Sequence, residues 1–242
     1  MSHDTLSSAN AGRIPTWSEE EARLRRGICE VGRMCYDKGL IDAAAGNISA
    51  RLADGTLLIT PAGAMKGCMA PEHISHMDAE GRLLGNSQRA STETGMHLTV
   101  YRERPDVRAV LHCHPPHAVA LTIAGVDLQT PVIPEIVVTI GGIPTAGYAT
   151  PGTDELPESI RELVRCSDSL MLKMHGSLTL GTNLLDAFKK LDMLEHMAKI
   201  LWMAHAIGHV QPLSPDAVQK LLDSRSELGF TGTNTLENRC GL

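Results

Sequence analysis

The run Arg108-Ala-Val-Leu-His112-Cys113-His114-Pro115-Pro116 constrains the fold of this chain more than any other stretch. Residues 108–111 are short and mostly apolar, as in a buried strand, and the prolines end it, Pro115 suiting the first turn of a helix. Residues two apart on a strand face the same side, so His112 and His114 share a face while Cys113 turns into the core. A third imidazole, His175, stands in Met174-His175-Gly176, at the end of the apolar run 170–173. Upstream, the acid Glu93 opens a helix. Three neutral imidazoles with a carboxylate nearby suit zinc, with manganese as the alternative. An open coordination position would make such a site catalytic.

The rest of the chain alternates helices and strands. Ser18-Glu-Glu-Glu21 reads as a capping box before a helix with Leu24, Ile28, Val31 and Cys35 on one face and Gly39 at its end. Residues 48–52 and 56–59 flank Ala53-Asp54-Gly55, a hairpin signal. Ser91 can cap a helix over 92–102, and a helix over 115–124 follows the His112 strand. Residues 136–140 read as a strand ending at Gly141-Gly142, 153–165 as a helix, and 170–173 as a strand. The longest helix covers 184–206, with Leu185, Phe188, Leu191, Leu194, Ala198 and Leu201 as its apolar side. Ser214-Pro215 starts one more. Residues 1–16 are expected to be mobile, 17–223 to form a single domain, and 224–242 to be a loosely ordered tail. The alternation predicts an α/β protein with a mixed sheet covered by helices.

Apolar residues make up 43% of the 242, enough for a core, but aromatics only 3%, so aliphatic side chains must fill it. A net charge of -6 leaves no basic footprint and argues against nucleic acid. No run is long enough for a membrane span, and the N-terminus lacks a signal pattern, so a cytoplasmic protein is expected. Six cysteines without a CxxC pair read as reduced thiols.

Six motifs, in order, carry a resemblance. They are Gly46-Asn47-Ile48-Ser49-Ala50-Arg51, Thr60-Pro61-Ala62-Gly63, Ser91-Thr92-Glu93, His112-Cys113-His114-Pro115, Tyr148-Ala-Thr-Pro-Gly-Thr153 and His175-Gly176. In order and spacing, over about residues 18–206, the chain resembles the class II aldolase/adducin family. That resemblance implies a three-layer αβα domain with a mostly antiparallel central sheet. It also implies a homotetramer with active sites at subunit interfaces. The metal ligands would be His112, His114 and His175, with Glu93 on or near the ion. Asn47, Gly63, Ser91 and Thr92 would cradle a phosphate.

The expected reaction is metal-dependent cleavage of a phosphorylated ketose to dihydroxyacetone phosphate and an aldehyde, through an enediolate that a divalent ion stabilises. Decarboxylation of a hydroxy- or keto-acid, or epimerisation or dehydration of a sugar phosphate, would reuse the same site. An adducin-like module without catalysis ranks last, because all three His and Glu93 are present. The chain departs from the fuculose-phosphate aldolase pattern twice. Ala62 stands where that pattern has Thr, so a hydroxyl is lost and Lys66 is the nearest cation. Glu135 stands where it brings a Tyr from a neighbouring subunit, and is the candidate acid there. His97, four residues after Glu93, is either a partner orienting Glu93 or a core histidine satisfied by a backbone carbonyl.

Overall fold

A computed structural model of the protein describes residues 17–85, 87–230 and 232–237. The reading of 1–16 therefore lies outside the described residues. Among the described residues seven α-helices are found: α1 (Glu19–Asp37), α2 (Thr94–Glu103), α3 (Pro116–Ile123), α4 (Pro134–Thr139), α5 (Glu155–Cys166), α6 (Leu184–Ile207) and α7 (Pro215–Asp223). The strands are β1 (Asn47–Arg51), β2 (Leu57–Ile59), β3 (Ser75–Met77), β4 (Ala109–Cys113), β5 (Thr145–Ala146), β6 (Ser169–Leu172) and β7 (Gly176–Gly181). They form one sheet in the order β3-β2-β1-β4-β7-β6-β5. All pairings are antiparallel except the parallel β5–β6 edge.

Alternation along β4 sorts the layers. Val110 joins a core with Met96 and Val100 of α2 and Ile160 and Val164 of α5. Ala109, Leu111 and Cys113 join the opposite core with Ile28, Val31 and Cys35 of α1 and Phe188 and Leu191 of α6. The result is the expected three-layer αβα arrangement. His112 therefore lies on the α2 side, and Cys113 is buried behind it, 3.9 Å from Cys35 Sγ.

Local signals explain most helix ends. Ser18 Oγ accepts from the Glu21 backbone N–H at 3.1 Å, but Glu21 does not reciprocate; its carboxylate takes Arg25 Nε at 2.8 Å. Asn183 and Ser214 cap α6 and α7 through side-chain oxygens. The α2 helix starts later than expected. Ser91 and Thr92 precede it, and Ser91 Oγ accepts from Glu93 N at 3.3 Å.

Four expectations fail. Residues 136–139 lie in α4 and Ile140 is its C-cap, so 136–140 is not a strand. Pro134 at the first turn presets the helical φ. The free carbonyls near the helix end are then met by the C-terminal segment, with Asn234 Nδ2 on Val137 O and Arg225 Nε on Val138 O, both at 2.8 Å. Tertiary contacts override the β-propensity of Ile and Val. By the same contacts the expected loose tail does not extend to Arg225, Asn234 and Thr235, which are buried. Leu185 is half exposed rather than packed on the apolar side of α6. Cys166 is disulfide-bonded, so the reading of reduced thiols fails for it. The sequence reading also missed β7, a central strand with Gly at both ends.

Candidate metal centre and active site

The antiparallel pairing of β4 with β7, Cys113 against Ser177, brings the β6–β7 turn alongside the end of β4. Met174 takes a left-handed φ of 58° in that turn, and His175 follows it. The three rings then meet, with centroids 4.8 to 5.1 Å apart. Their candidate ligand nitrogens all lie within 4.8 Å of one another. Two glycines make this packing feasible. A Cβ on Gly176 would stand 2.5 Å from Cys113 O and 2.8 Å from His114 Cδ2. A Cβ on Gly46 would stand 2.6 Å from His112 O.

The donor set fits a divalent cation. His112 Nδ1 lies 2.9 Å from Ser177 O and must donate to it, which leaves Nε2 as the lone-pair nitrogen. His114 Nε2 stands 3.1 Å from that nitrogen. Tetrahedral zinc sites put ligand nitrogens about 3.3 Å apart, given metal–nitrogen bonds of about 2 Å. His175 Nε2 turns toward the same point, while its Nδ1 is buried without a hydrogen-bond partner among the described residues. Burial, reinforced by the neighbouring imidazoles, holds the His114 pKa down at about 4 and lowers that of His175. Both rings are thus neutral at pH 7, as ligands must be.

Glu93 closes the cluster. One carboxylate oxygen lies 3.3 Å from His112 Nε2 and the other 3.3 Å from His175 Nε2. Asn47 Nδ2 donates to it at 2.9 Å. Burial opposes ionisation of Glu93, but its polar contacts, the Asn47 amide N–H among them, outweigh it and lower its pKa. Beside the cluster is a cleft of about 210 Å³, lined by Asn47, Ala62, Gly63, Lys66, Ser91, Thr92, Glu93, His114 and His175 among others. The residues expected at the metal and at the phosphate are therefore together. Asn47 sits on β1 rather than on a loop, and Gly63 uses a left-handed φ of 71°.

Lys66, the cation nearest to Ala62 in sequence, lines the same cleft. It is 2% exposed, donates to Ala44 O at 2.5 Å, and has no carboxylate within ion-pair distance among the described residues. Burial lowers its pKa. Glu135 is exposed in the first turn of α4 and is not part of the cleft of its own chain. His97 is not satisfied by a backbone carbonyl: its nitrogens bond Asn47 Oδ1 and Ser49 Oγ, so it reaches Glu93 through Asn47.

Comparison with known proteins agrees with this geometry. Residues 26–202 match the class II aldolase and adducin N-terminal domain. The chain belongs to this family. A 3-oxo-tetronate 4-phosphate decarboxylase of Pectobacterium atrosepticum is 32% identical over 187 residues, 76% of this chain and 85% of that protein. A 5-methylthioribulose-1-phosphate/5-deoxyribulose-1-phosphate aldolase of Rhodospirillum rubrum is 32% identical over 208 residues, 85% and 92% of the two chains. A solved L-fuculose 1-phosphate aldolase superposes with a TM-score of 0.79 at 26% identity, covering 87% of this chain and 98% of the other. The protein is a metal-dependent enzyme of this superfamily, a carbon–carbon lyase in the sense that spans aldol cleavage and decarboxylation. Among the described residues no helix is long and apolar enough to cross a membrane.

Proposed function

We propose that the protein decarboxylates a phosphorylated 3-oxo acid of the 3-oxo-tetronate 4-phosphate class, giving carbon dioxide and dihydroxyacetone phosphate. This puts first a reaction that the sequence alone ranked second. The decarboxylase relatives support the change, and so does the chemistry. Breaking the C1–C2 bond of such an acid leaves its electron pair in an enediolate over C2 and C3. Protonation at C2 completes the product. Cleaving a ketose 1-phosphate between C3 and C4 leaves the same enediolate. The two reactions differ in what departs, and aldol cleavage must also remove a proton from a hydroxyl of the departing half.

The observation that carries the reading is the position of Glu93 across His112 and His175 at the cleft wall. His112, His114 and His175 would hold the cation, zinc or manganese, which supplies Lewis-acid stabilisation of negative charge on substrate oxygens. Glu93, ionised at rest, takes up a proton from solvent and passes it to the enediolate carbon. Gly63, Ser91 and Thr92 receive the phosphate, while Asn47, whose amide protons go to Glu93 and Ser91, supports them from behind. Lys66, a buried cation with only a carbonyl partner among the described residues, adds charge for an anionic substrate. One carboxylate in the cleft suffices for decarboxylation, since only one proton must be delivered. The reading includes a homotetramer in which exposed Glu135 enters a neighbouring subunit's site, and light scattering tests the assembly.

The deciding experiment incubates the metal-loaded protein with 3-oxo-tetronate 4-phosphate and with a ketose 1-phosphate panel. Carbon dioxide and triose phosphate released in equal amounts support decarboxylation. Triose phosphate from a ketose 1-phosphate without carbon dioxide supports aldol cleavage, which the Rhodospirillum relative favours as the second reading. Release from neither overturns both.

A further inference from the structure

Behind Glu93 lies a line of polar side chains, of which the proposed chemistry uses only Asn47. Glu93, His97 and Tyr101 are spaced four apart, so they stand above one another at one face of α2. Asn47 and Ser49, two apart on β1, face them from the sheet. Asn47, Ser49 and His97 are at most 2% exposed, and Tyr101 is buried as well. Such groups are costly to bury unless every donor and acceptor is matched.

Here they are matched, and only one arrangement of protons does it. The ionised Glu93 carboxylate can only accept, so Asn47 must turn its NH2 toward Oε2, at 2.9 Å. Asn47 Oδ1 then faces His97 Nε2, which must carry the proton. A neutral imidazole protonated at Nε2 has a bare Nδ1. Ser49 Oγ therefore donates to Nδ1, at 2.6 Å, and Tyr101 OH donates to Ser49 Oγ, at 2.8 Å. The other NH2 proton of Asn47 goes to Ser91 Oγ, at 3.1 Å. Ser91 Oγ also accepts from the Glu93 backbone N–H. With both lone pairs engaged, the Ser91 hydroxyl proton remains free for the cleft that Ser91 lines.

We propose that His97 is a positioning residue. Its Nε2–H locks the Asn47 amide in one of two orientations, and so both holds the Glu93 carboxylate and makes Ser91 a donor to an oxyanion in the cleft. A flipped amide would set Oδ1 against Glu93 and turn the NH2 away from both partners. The inference rests on the reading of Glu93 as proton carrier and of the cleft as an oxyanion site.

The test compares wild type with His97→Leu, which removes the donor, and His97→Gln, whose amide can restore it near the Nε2 position. In the 15N-histidine-labelled protein at pH 7, the His97 ring is expected to carry its proton on Nε2 only. In the folded Leu variant, Asn47 side-chain amide protons should exchange faster and inorganic phosphate should bind about 10-fold more weakly. Gln should restore most of both. A ring protonated at Nδ1, or at both nitrogens, overturns the proposal, even if the Leu variant does not fold. So does a folded Leu variant with wild-type amide exchange and phosphate affinity. A wild-type protein that binds no phosphate overturns the donor role of Ser91. Failure to act on any 3-oxo acid or ketose phosphate would sink the proposed reaction alone, because the ring tautomer, amide exchange and phosphate affinity do not depend on turnover.

Discussion

Gly176 and His112 are packed so closely that a Cβ on the glycine would lie 2.8 Å from His112 Cε1. The third histidine of the cluster precedes that glycine by one residue. The turn that delivers His175 therefore touches the strand that carries the other two, and nothing larger than hydrogen fits between.

Gly176→Ala is expected to push the β6–β7 turn away from β4. Overpacking of this kind costs about 1–3 kcal/mol, because backbone and ring must shift together. The thermal midpoint should fall, and metal retained per chain after dialysis should drop below that of wild type. Wild-type metal content in the folded variant would show that the rings tolerate the displacement.

Metal should stabilise the wild-type protein and act far less on His175→Asn. A ligand that binds only the folded state at about 100 times its Kd adds about 2.7 kcal/mol. Urea titrations of chelator-treated protein, with and without zinc or manganese, measure this. Equal shifts for wild type and variant would mean that the ion binds elsewhere.

Stability of the metal-free protein should fall as pH drops from neutrality. Burial holds His97 at about 3, and burial with neighbouring imidazoles holds His114 at about 4, both below the ordinary value of 6.5. Between those limits the unfolded chain binds more protons, so stability rises with pH there. The contribution is fully present above about 6.5 and is lost as pH falls toward 3. Urea midpoints at pH 7, 5.5 and 4 should decrease in that order, and less steeply in His97→Gln. A flat profile in wild type would contradict it.

Lys66→Met separates binding from stability. A buried cation whose partners are a carbonyl and the cleft gives the fold little, and replacing it with an apolar chain of similar volume should be neutral or raise stability by about 1 kcal/mol. KM for a phosphorylated substrate should rise about 10-fold, equivalent to about 1.4 kcal/mol. A destabilised variant with unchanged KM would reassign Lys66 to holding the loop at Ala44.

Some of the site is readable from spacing alone. His112 and His114 two apart, Cys113 turned inward, and Glu93 and His97 four apart follow from the geometry of strand and helix. Composition and hydropathy also locate α1, α6 and the capped start of α7. The partners of those residues are a different matter. Nothing local joins Asn47 and Ser49 to His97, because β1 and α2 are more than 40 residues apart and meet only when the sheet is covered. Residues 136–139 have strand composition, yet they are helical because Asn234 and Arg225 satisfy carbonyls nearly 100 residues away. β7 looks like a glycine-bounded loop until β4 and β6 close on it from either side. Residue periodicity, which depends only on backbone geometry, determined which faces carry the chemistry. Which faces meet, and which proton each buried group must hold, was decided by packing, where unpaired polar atoms are too costly to leave.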